Sequence, residues 1–250
     1  MAQTIVLITG ASRGLGQALA KRFLALPNHT VIAANRDPTS STSNTLTSFP
    51  KGANSVLIIT KYEAADGQSP FDMVEELQNK HSIAHLDIVV PNAAIAKIYP
   101  LAREVKREDI LEYVEVNVLS VISLFQATRE LQQKASKGAR EPVFAPVGSG
   151  AGALGRQPPV PNSAYGASKS MLFWYGVRIN AEEDWLNTIV LDPGWAQTGM
   201  GNDAARRWGL EQAPLTVDEV TDGMFQVLRT TTKEKHGGKP VLHTGEVQEW

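Results

Sequence analysis

The stretch TGASRGLG, residues 9–16, is the motif in this chain that best indicates its fold. It follows a short apolar run at residues 4–9, and helical spacing begins at residue 15. Gly10 permits a sharp turn, while Gly14 and Gly16 let the backbone approach a pyrophosphate and the neighbouring strand. A glycine-rich helix cap is the alternative interpretation. The order of strand, glycine turn and helix favours a dinucleotide-binding turn.

Beyond this turn, apolar runs alternate with amphipathic stretches along nearly the whole chain. We predict strands at residues 4–9, 30–35, 55–59, 86–90, 143–147, 188–192 and 241–244. Helical spacing predicts helices at residues 15–26, 71–79, 107–133, 164–182 and 217–231. Repeated βα units predict an α/β fold, a Rossmann-type doubly wound parallel sheet of about seven strands with helices on both faces. We expect one domain over residues 1–250.

Two segments interrupt this alternation. Residues 39–48, TSSTSNTLTS, are almost all serine and threonine, which form helices poorly, and we predict a mobile surface connection there. Residues 199–214 are polar, contain glycine and precede the last predicted helix. Their length predicts a substrate-binding lid around residues 195–215.

Composition narrows the classes of function. The chain has 250 residues, a formal net charge of −2 and no cysteine, so disulfides and thiol nucleophiles are excluded. No basic field predicts binding to nucleic acid or to an acidic membrane. No targeting segment or membrane span is predicted, and we expect a cytoplasmic protein. His81 and His85 have the spacing of a helical zinc site but lack further ligands, so we predict solvated histidines and no metal.

The end of the second predicted strand indicates the type of cofactor. NAD-binding versions of such folds place an acidic residue there, which accepts a hydrogen bond from the ribose 2′-hydroxyl. This chain has Asn35 followed by Arg36, and Arg13 lies in the glycine turn. Two guanidinium groups suit a 2′-phosphate, because arginine binds phosphate through paired, charge-assisted hydrogen bonds. Although Asp37 adjoins Arg36, we predict NADPH/NADP+ as the cofactor.

A third group of residues indicates proton transfer. The stretch NSAYGASKSM, residues 162–171, places Tyr165 and Lys169 one helical turn apart. Upstream, an apolar strand leads to Ser149 in a glycine-rich turn, and Asn117 lies on a predicted helix. Tyrosine and lysine also occur at this spacing on solvated helices, so the pair alone does not establish an active site.

The ordered series TGASRGLG, Asn117, Ser149, YGASK and PGWAQT strongly resembles the short-chain dehydrogenase/reductase family, over essentially the entire chain. The resemblance implies that Tyr165 is the general acid for a carbonyl oxygen. It implies that Lys169 lowers the pKa of Tyr165 and holds the nicotinamide ribose. Ser149 would orient the substrate, and Asn117 would interrupt its helix with a bound water that relays protons. The helices carrying Asn117 and Tyr165 would pair to give a homodimer or homotetramer.

The resemblance also assigns binding residues. The expected cofactor-binding residues are Gly10, Ser12, Arg13, Gly14, Leu15, Gly16, Asn35, Arg36, Asn92, Ala93, Tyr165, Lys169, Pro193, Gly194 and Thr198. The expected substrate-binding residues are Ser149, Tyr165 and Trp195. Thr198 matches the family threonine that binds the nicotinamide carboxamide. The adenine contact is unassigned, with Tyr62 and Glu63 as candidates.

The chain departs from the family pattern in three places, one of which is the absence of an acidic residue directly after the third strand. Residues 91–94 read PNAA where the family has Asn-Asn-Ala-Gly. Pro91 has no N–H to donate, so the local backbone bonding must differ, and Ala94 would crowd the cofactor. The interval from Ser149 to Tyr165 is longer than usual. The surplus lies in GRQPPVPN, residues 155–162, which we expect to line the substrate mouth.

Within the family, the chain most resembles fungal ketoreductases of the norsolorinic acid reductase type. The similarity lies in VIAANRDP at residues 31–38, YPLAREVK at residues 99–106 and LDPGWAQTGMGN at residues 191–202. It implies reduction of an aromatic or polyketide-type ketone by NADPH. Aromatic and proline residues near the expected mouth would suit a bulky, flat ketone, namely Trp195, Trp208, Pro158 and Pro159.

Two alternatives stay open. One is an NAD(H)-linked secondary alcohol dehydrogenase of the same fold, which Asn35 in place of an acidic residue disfavours. The other is a non-catalytic NADP(H)-binding regulator. The presence of all four catalytic residues disfavours it, because a binding module has no need of Asn117, Ser149, Tyr165 and Lys169 together.

Overall fold

The core of the protein is a parallel sheet with a change of strand order at its centre. A computed structural model describes residues 3–138 and 140–250. Its strands are β1 (Thr4–Thr9), β2 (His29–Asn35), β3 (Val56–Lys61), β4 (Ile88–Val90), β5 (Val143–Phe144), β6 (Asn187–Thr188), β7 (Val190–Asp192) and β8 (Pro240–Leu242). Within these residues, one sheet has the order β3-β2-β1-β4-β5-β6, and β7 pairs with β8. The order reverses between β1 and β4, which opens a crevice at the carboxyl ends of the strands.

Helices cover both faces of the sheet. They are α1 (Gly14–Leu24), α2 (Ser41–Asn44), α3 (Ser69–His81), α4 (Arg107–Val114), α5 (Ser120–Ala135), α6 (Tyr165–Glu182), α7 (Gly199–Arg207), α8 (Val217–Thr230) and α9 (Lys233–His236). Phe23 of α1 and Met224 of α8 belong to one buried cluster. Leu77 of α3, Leu124 of α5 and Leu172 of α6 belong to a second cluster on the other face. The predicted doubly wound α/β fold is confirmed.

The predicted strand at residues 143–147 is shorter in the structure. Regular pairing ends with β5 at Phe144, because Pro146 has no N–H and interrupts the ladder. The Val147 N–H nevertheless donates to the Pro91 carbonyl oxygen at 2.9 Å. The chain therefore keeps its course to the carboxyl edge, where Ser149 follows.

The predicted strand at residues 188–192 is two strands. β6 pairs with β5, whereas β7 pairs with β8 in parallel register. An isolated bridge between Val147 and Leu191 joins the two sheets. The parallel arrangement thus continues beyond β6, and it brings the end of β7 beside the end of β5.

The serine- and threonine-rich segment at residues 39–48 differs from the prediction. Helical turns replace the expected surface connection, with α2 followed by a 3₁₀ turn at Thr45–Ser48. The Ser43 N–H donates to the Ser40 hydroxyl at 3.2 Å, which caps α2. Ser43 and Leu46 are buried. Serine is unfavourable inside helices but strongly preferred as an N-cap, and this cap outweighs the low propensity.

The helix predicted at residues 107–133 is interrupted. A π-helical turn at Glu115–Leu119 separates α4 from α5. By length and composition alone the stretch Arg107–Ala135 could cross a membrane, which is weak evidence, since core helices of soluble proteins pass the same test. Val121, Leu124 and Leu131 of α5 pack into the core on one face of the sheet. This amphipathic packing is typical of a surface helix in an α/β fold.

Candidate active site

The glycine turn lies against two other segments at the carboxyl edge of the sheet. Gly14 has a φ of +57°, and a Cβ added there would lie 3.4 Å from Thr198 Cγ2. A Cβ on Gly16 would lie 2.5 Å from the Gly10 carbonyl oxygen and 2.6 Å from Asn92 Nδ2. The turn, Asn92 and Thr198 therefore form one tightly packed cradle.

The first turn of α1 offers uncapped backbone donors. Arg13 occupies the N-cap position without a capping hydrogen bond, and no acidic residue lies in the first turn. The Ser12 carbonyl oxygen accepts from the Gln17 side chain at 2.9 Å, and Leu15 packs against the core. Free N–H groups and the positive end of the helix dipole together favour an anion at this turn.

Asn35 and Arg36 lie next to the glycine turn, because the Gly10 N–H donates to the Ala34 carbonyl oxygen at 2.8 Å. The Asn35 side chain is buried, and its Nδ2 donates to the Ser43 hydroxyl at 3.1 Å. Among the described residues its Oδ1 has no hydrogen-bond partner. Asn35 therefore ties the end of β2 to α2 and supports the segment that carries Arg36.

Arg13 and Arg36 are both exposed. Asp37 does not bind Arg36 in the described part of the chain. Its carboxylate accepts from the Thr39 hydroxyl at 2.7 Å and the Thr39 N–H at 2.8 Å. These hydrogen bonds hold the pKa of Asp37 below its ordinary value. Both guanidinium groups are thus accessible to an anionic ligand that approaches the turn.

The segment after β4 is fixed by one threonine. The Asn92 and Ala93 N–H groups both donate to Thr9 Oγ1 at 3.0 Å. Asn92 Nδ2 donates to the Thr9 and Gly10 carbonyl oxygens at 2.9 and 3.2 Å. The Thr9 hydroxyl therefore accommodates the Pro91 departure, since the two following N–H groups share it.

Asn117 lies in the π turn and joins two segments. Its Oδ1 accepts from the Ile95 N–H at 2.8 Å, while its Nδ2 donates to the Ile95 carbonyl oxygen and the Ser168 hydroxyl, each at 3.0 Å. The π-helical turn interrupts the helix at this residue. The side chain connects the segment after β4 with α6, and the water relay to Lys169 stays a prediction.

Ser149, Tyr165 and Lys169 come together where β5 meets α6. Ser149 Oγ accepts from the Ala151 N–H at 3.2 Å and lies beside the Tyr165 side chain. Lys169 follows one helical turn after Tyr165, and its Nζ is 5.6 Å from the centroid of the Tyr165 ring. The same Nζ donates to the Val147 carbonyl oxygen at 2.7 Å. The structure thus brings together three of the four predicted catalytic residues.

The ionisation of the pair differs from the expectation. Burial raises the pKa of Tyr165 above its ordinary value, Tyr99 and Asp192 raise it further, and the Ser149 hydroxyl opposes the shift. Burial lowers the pKa of Lys169 from 10.5 to about 8, and Asp192 opposes that change. In the protein alone the net pKa of Tyr165 is therefore raised, because loss of solvent disfavours the phenolate, and the lowering by Lys169 stays a prediction. Tyr165 is held in its neutral, proton-donating form.

The turn after β7 positions the remaining predicted residues. Pro193 is buried, and the Gly194 N–H donates to the carboxylate at the end of β7 at 2.9 Å. The Gly201 N–H donates to the Thr198 hydroxyl at 3.0 Å, which caps α7. Trp195 Nε1 donates to the Gly201 carbonyl oxygen at 2.9 Å. The lid segment predicted around residues 195–215 therefore contains a helix that is fastened to this turn.

Three aromatic rings connect α7 with the segment after β4. The ring of Trp208 packs edge-to-face on Trp195 at 5.5 Å and on Tyr99 at 5.2 Å between centroids. The Arg207 guanidinium carbon lies 5.7 Å from the Tyr99 centroid. Sequence reasoning placed Trp195 and Trp208 near the mouth but did not assign a role to Tyr99, although it begins the stretch YPLAREVK.

Tyr113 is a second residue that sequence reasoning missed. Its side chain is fully buried, its hydroxyl accepts from the Lys97 and Ile98 N–H groups, and it donates to the Ile98 carbonyl oxygen at 3.1 Å. Its ring lies edge-to-face with that of Tyr165 at 6.5 Å. The one sequence feature that points to Tyr113 is its position one helical turn before Asn117.

Tyr62, a candidate for the adenine contact, is not accessible. It is buried, and its hydroxyl donates to the Ser120 carbonyl oxygen at 3.2 Å. Burial raises the pKa of Tyr62 to about 12. Its place in the core under the sheet leaves Glu63, which is partly exposed, as the candidate from the segment after β3.

Sequence comparisons agree with this geometry. The model of a family described as short chain dehydrogenase matches residues 4–209. The chain is 39% identical to the norsolorinic acid ketoreductase of Dothistroma septosporum and 35% identical to that of Emericella nidulans. Each match extends over 243 residues and covers 96% of this chain and 90% of the relative.

Solved structures show the same fold. The NADPH-bound carbonyl reductase from chicken fatty liver superposes with a TM-score of 0.87 at 24% identity, over 100% of this chain and 96% of that one. The carbonyl reductase Sniffer of D. melanogaster gives a TM-score of 0.86 at 22% identity, over 100% of both chains. At this identity the likeness concerns the architecture.

Proposed function

Because the chain belongs to the short-chain dehydrogenase family, we propose that it is an NADPH-dependent ketoreductase, which transfers a hydride from NADPH to a ketone. The assembly of Ser149, Tyr165 and Lys169 at the carboxyl edge, beside the glycine turn, carries this proposal. The ketoreductase relatives at 39% and 35% identity support it. Tyr165 would be the general acid of the reaction.

The residues present fit NADPH. The uncapped first turn of α1 would bind the pyrophosphate, because its N–H groups have no side-chain acceptor. Arg13 and Arg36 would bind the 2′-phosphate. Thr198 lies against Gly14 and would bind the nicotinamide carboxamide, and Lys169 would bind the ribose. The glycines, Asn92 and Ala93 would form the wall of this cradle.

The chemistry follows from the protonation of the catalytic side chains. NADPH supplies a hydride when it is bound. Ser149 would donate a hydrogen bond to the ketone oxygen, and Tyr165 would then give that oxygen its proton. The raised pKa of Tyr165 keeps the phenol neutral before transfer. The Lys169 ammonium would stabilise the phenolate left behind, since it is anchored one turn away on the same helix.

The protonation state supports ketone reduction over alcohol oxidation. Oxidation of an alcohol requires the phenolate of Tyr165 as base, and burial disfavours that form. Reduction requires the phenol, which burial preserves. The neutral phenol is therefore the form of Tyr165 that is ready for ketone reduction near neutral pH.

The aromatic rings at the mouth support a flat ketone as substrate. Three aromatic rings pack edge-to-face between the lid and the segment after β4, namely those of Trp195, Trp208 and Tyr99. Aromatic side chains bind planar rings by stacking and edge-to-face contact. An aromatic or polyketide-type ketone would suit this wall, in agreement with the substrate in the relatives' names.

The remaining expectations belong to the same proposal. Residues 1–250 would act as one catalytic domain, in which the segment around residues 195–215 closes over the substrate. Copies of the chain would pair through the helices that carry Asn117 and Tyr165, because α6 exposes Met171, Trp174 and Val177. A cytoplasmic location of the protein would agree with the use of NADPH as its cofactor.

Cofactor oxidation tests the proposal directly. NADPH and NADH consumption would be followed with aryl ketones, bicyclic ketones and hydroxyanthraquinones, with Tyr165→Phe as control. We expect turnover with NADPH that the variant loses. Tight NADPH binding without turnover of any ketone would instead support a regulator, and a preference for NADH would support the alcohol dehydrogenase.

A further inference from the structure

The surplus segment at residues 155–162 brings an arginine to the active-site edge. Arg156 Nη2 lies 3.6 Å from Asp192 Oδ2, and the Asp192 side chain is only 3% exposed. A Cβ added to Gly150 would lie 3.0 Å from Arg156 Nη1 and 3.2 Å from Asp192 Oδ2. The ion pair therefore lies directly against the residue that follows Ser149.

Arg156 is held from the other side by neutral groups. Its Nε donates to the Glu249 carbonyl oxygen at 3.3 Å, and its Nη2 donates to the Gln248 side chain. The neighbouring Gly155 N–H donates to the Trp250 carbonyl oxygen at 2.8 Å. These contacts hold the guanidinium in place, and Asp192 is the carboxylate with which it pairs in the described part of the chain.

The side chain of Asp192 is buried, and its carboxylate acts on both members of the catalytic pair. It raises the pKa of Lys169 and contributes to the raised pKa of Tyr165. Tyr99 and Tyr113 also act on Tyr165, from the segment after β4 and from α4, and both raise its pKa.

From the side of β8, His243 packs against the turn after β7. Its N–H donates to the Asp192 carbonyl oxygen at 2.8 Å, while its ring lies against Gly194. In the described part of the chain, Arg156 is thus the cationic side chain that forms an ion pair with the Asp192 carboxylate.

We propose that Arg156 is a positioning residue that screens the Asp192 carboxylate from Tyr165 and Lys169. The inference rests on the proposed function, since it takes these two residues as the catalytic pair. A carboxylate without its counter-charge stabilises a nearby ammonium and opposes a nearby phenolate. The surplus segment therefore adjusts the acidity of the active site, besides lengthening the interval before Tyr165.

Direct titration of Lys169 tests the inference without any turnover. Protein labelled with carbon-13 at the lysine Cε atoms would be titrated by NMR, with Lys169 identified by its loss in Lys169→Arg. Arg156→Gln is expected to raise the pKa of Lys169 by about half a unit, and Asp192→Asn to lower it by a similar amount. The double variant Arg156→Gln/Asp192→Asn should have the same Lys169 pKa as Asp192→Asn, because it has no Asp192 carboxylate for Arg156 to screen.

Two further variants keep the test decisive. Arg178→Gln removes an exposed arginine of α6 that pairs with Glu182, and it should leave the Lys169 titration unchanged. Arg156→Lys keeps the charge and should resemble the wild type. An unchanged or lowered Lys169 pKa in Arg156→Gln overturns the inference, as does an Arg156→Lys shift equal to that of Arg156→Gln.

If Arg156→Gln does not fold, the titration of Lys169 in Asp192→Asn tests the inference. An unchanged Lys169 pKa in that variant would show that the carboxylate does not act on the pair. Because the titration uses no ketone, a failure here is distinguishable from a failure of the ketoreductase proposal, which the cofactor-oxidation measurements decide.

Discussion

The Lys169 ammonium donates a hydrogen bond of 2.7 Å to the Val147 carbonyl oxygen, two residues before Ser149. This bond ties α6 to the segment after β5, so the lysine and the serine keep a fixed relative position. An ammonium has three donors, and one of them is used here. The other two are available for a ribose at the mouth of the crevice.

Replacement of Tyr165 by phenylalanine removes the phenolic hydroxyl and keeps the ring. We expect kcat for ketone reduction to fall by about 10²–10⁴-fold, the usual contribution of a general acid. The Kd for NADPH should change little, because the ring and Lys169 stay in place. Steady-state kinetics and fluorescence titration of NADPH measure the two quantities.

Tyr175→Phe is the matched control for this variant. Tyr175 lies on the same helix, and its ring packs edge-to-face on Trp174 at 5.2 Å, away from Ser149. The Tyr175→Phe variant should keep the wild-type kcat. Equal activity of the Tyr165 and Tyr175 variants would remove Tyr165 from the mechanism.

Lys169→Met should change the pH dependence of stability. Folding lowers the pKa of Lys169 from 10.5 to about 8, so between these values the unfolded chain holds a proton that the folded protein has released. Raising the pH through this window therefore stabilises the wild type relative to the variant, by about 3 kcal/mol. Urea unfolding of both proteins at several pH values measures the difference. A difference that stays constant, or that falls with rising pH, contradicts the burial of a charged lysine.

Arg36→Ala should weaken NADPH binding far more than NADH binding. The guanidinium is exposed beside the glycine turn, and Asp37 is bound by Thr39 instead. Loss of charge-assisted bonds to a 2′-phosphate should raise the Kd for NADPH by about tenfold to a hundredfold. Isothermal titration with both cofactors is the measurement. Equal losses for NADPH and NADH would show that Arg36 does not contact the 2′-phosphate.

The sequence predicted those parts of the fold that depend on local geometry. The glycine turn was predictable because a positive φ at Gly14 and the close approach at Gly16 admit no side chain. The strand predicted through Pro146 was too long, although its missing N–H was visible in the sequence. The helix at residues 39–48 was missed because a single serine cap outweighed the propensity of the whole segment.

The electrostatics of the site depended on tertiary contacts that no local pattern encodes. Arg156 and Asp192 meet only because the surplus segment folds back over the end of β7. The direction of the Tyr165 pKa shift follows from burial, which is a property of the folded protein. The position of Tyr165 and Lys169 on one helical face was predictable, but their ionisation was not.

Tyr113→Phe should affect both stability and substrate binding. The hydroxyl accepts hydrogen bonds from the Lys97 and Ile98 N–H groups, and both bonds would be lost. We expect a loss of about 1 kcal/mol in the free energy of unfolding, measured with urea, because both residues are at least partly exposed. The segment that loosens carries Tyr99, which packs on Trp208. KM for an aryl ketone should therefore rise more than kcat falls, whereas NADPH binding should be kept. A variant with normal KM but lower stability would show that Tyr113 supports only the fold.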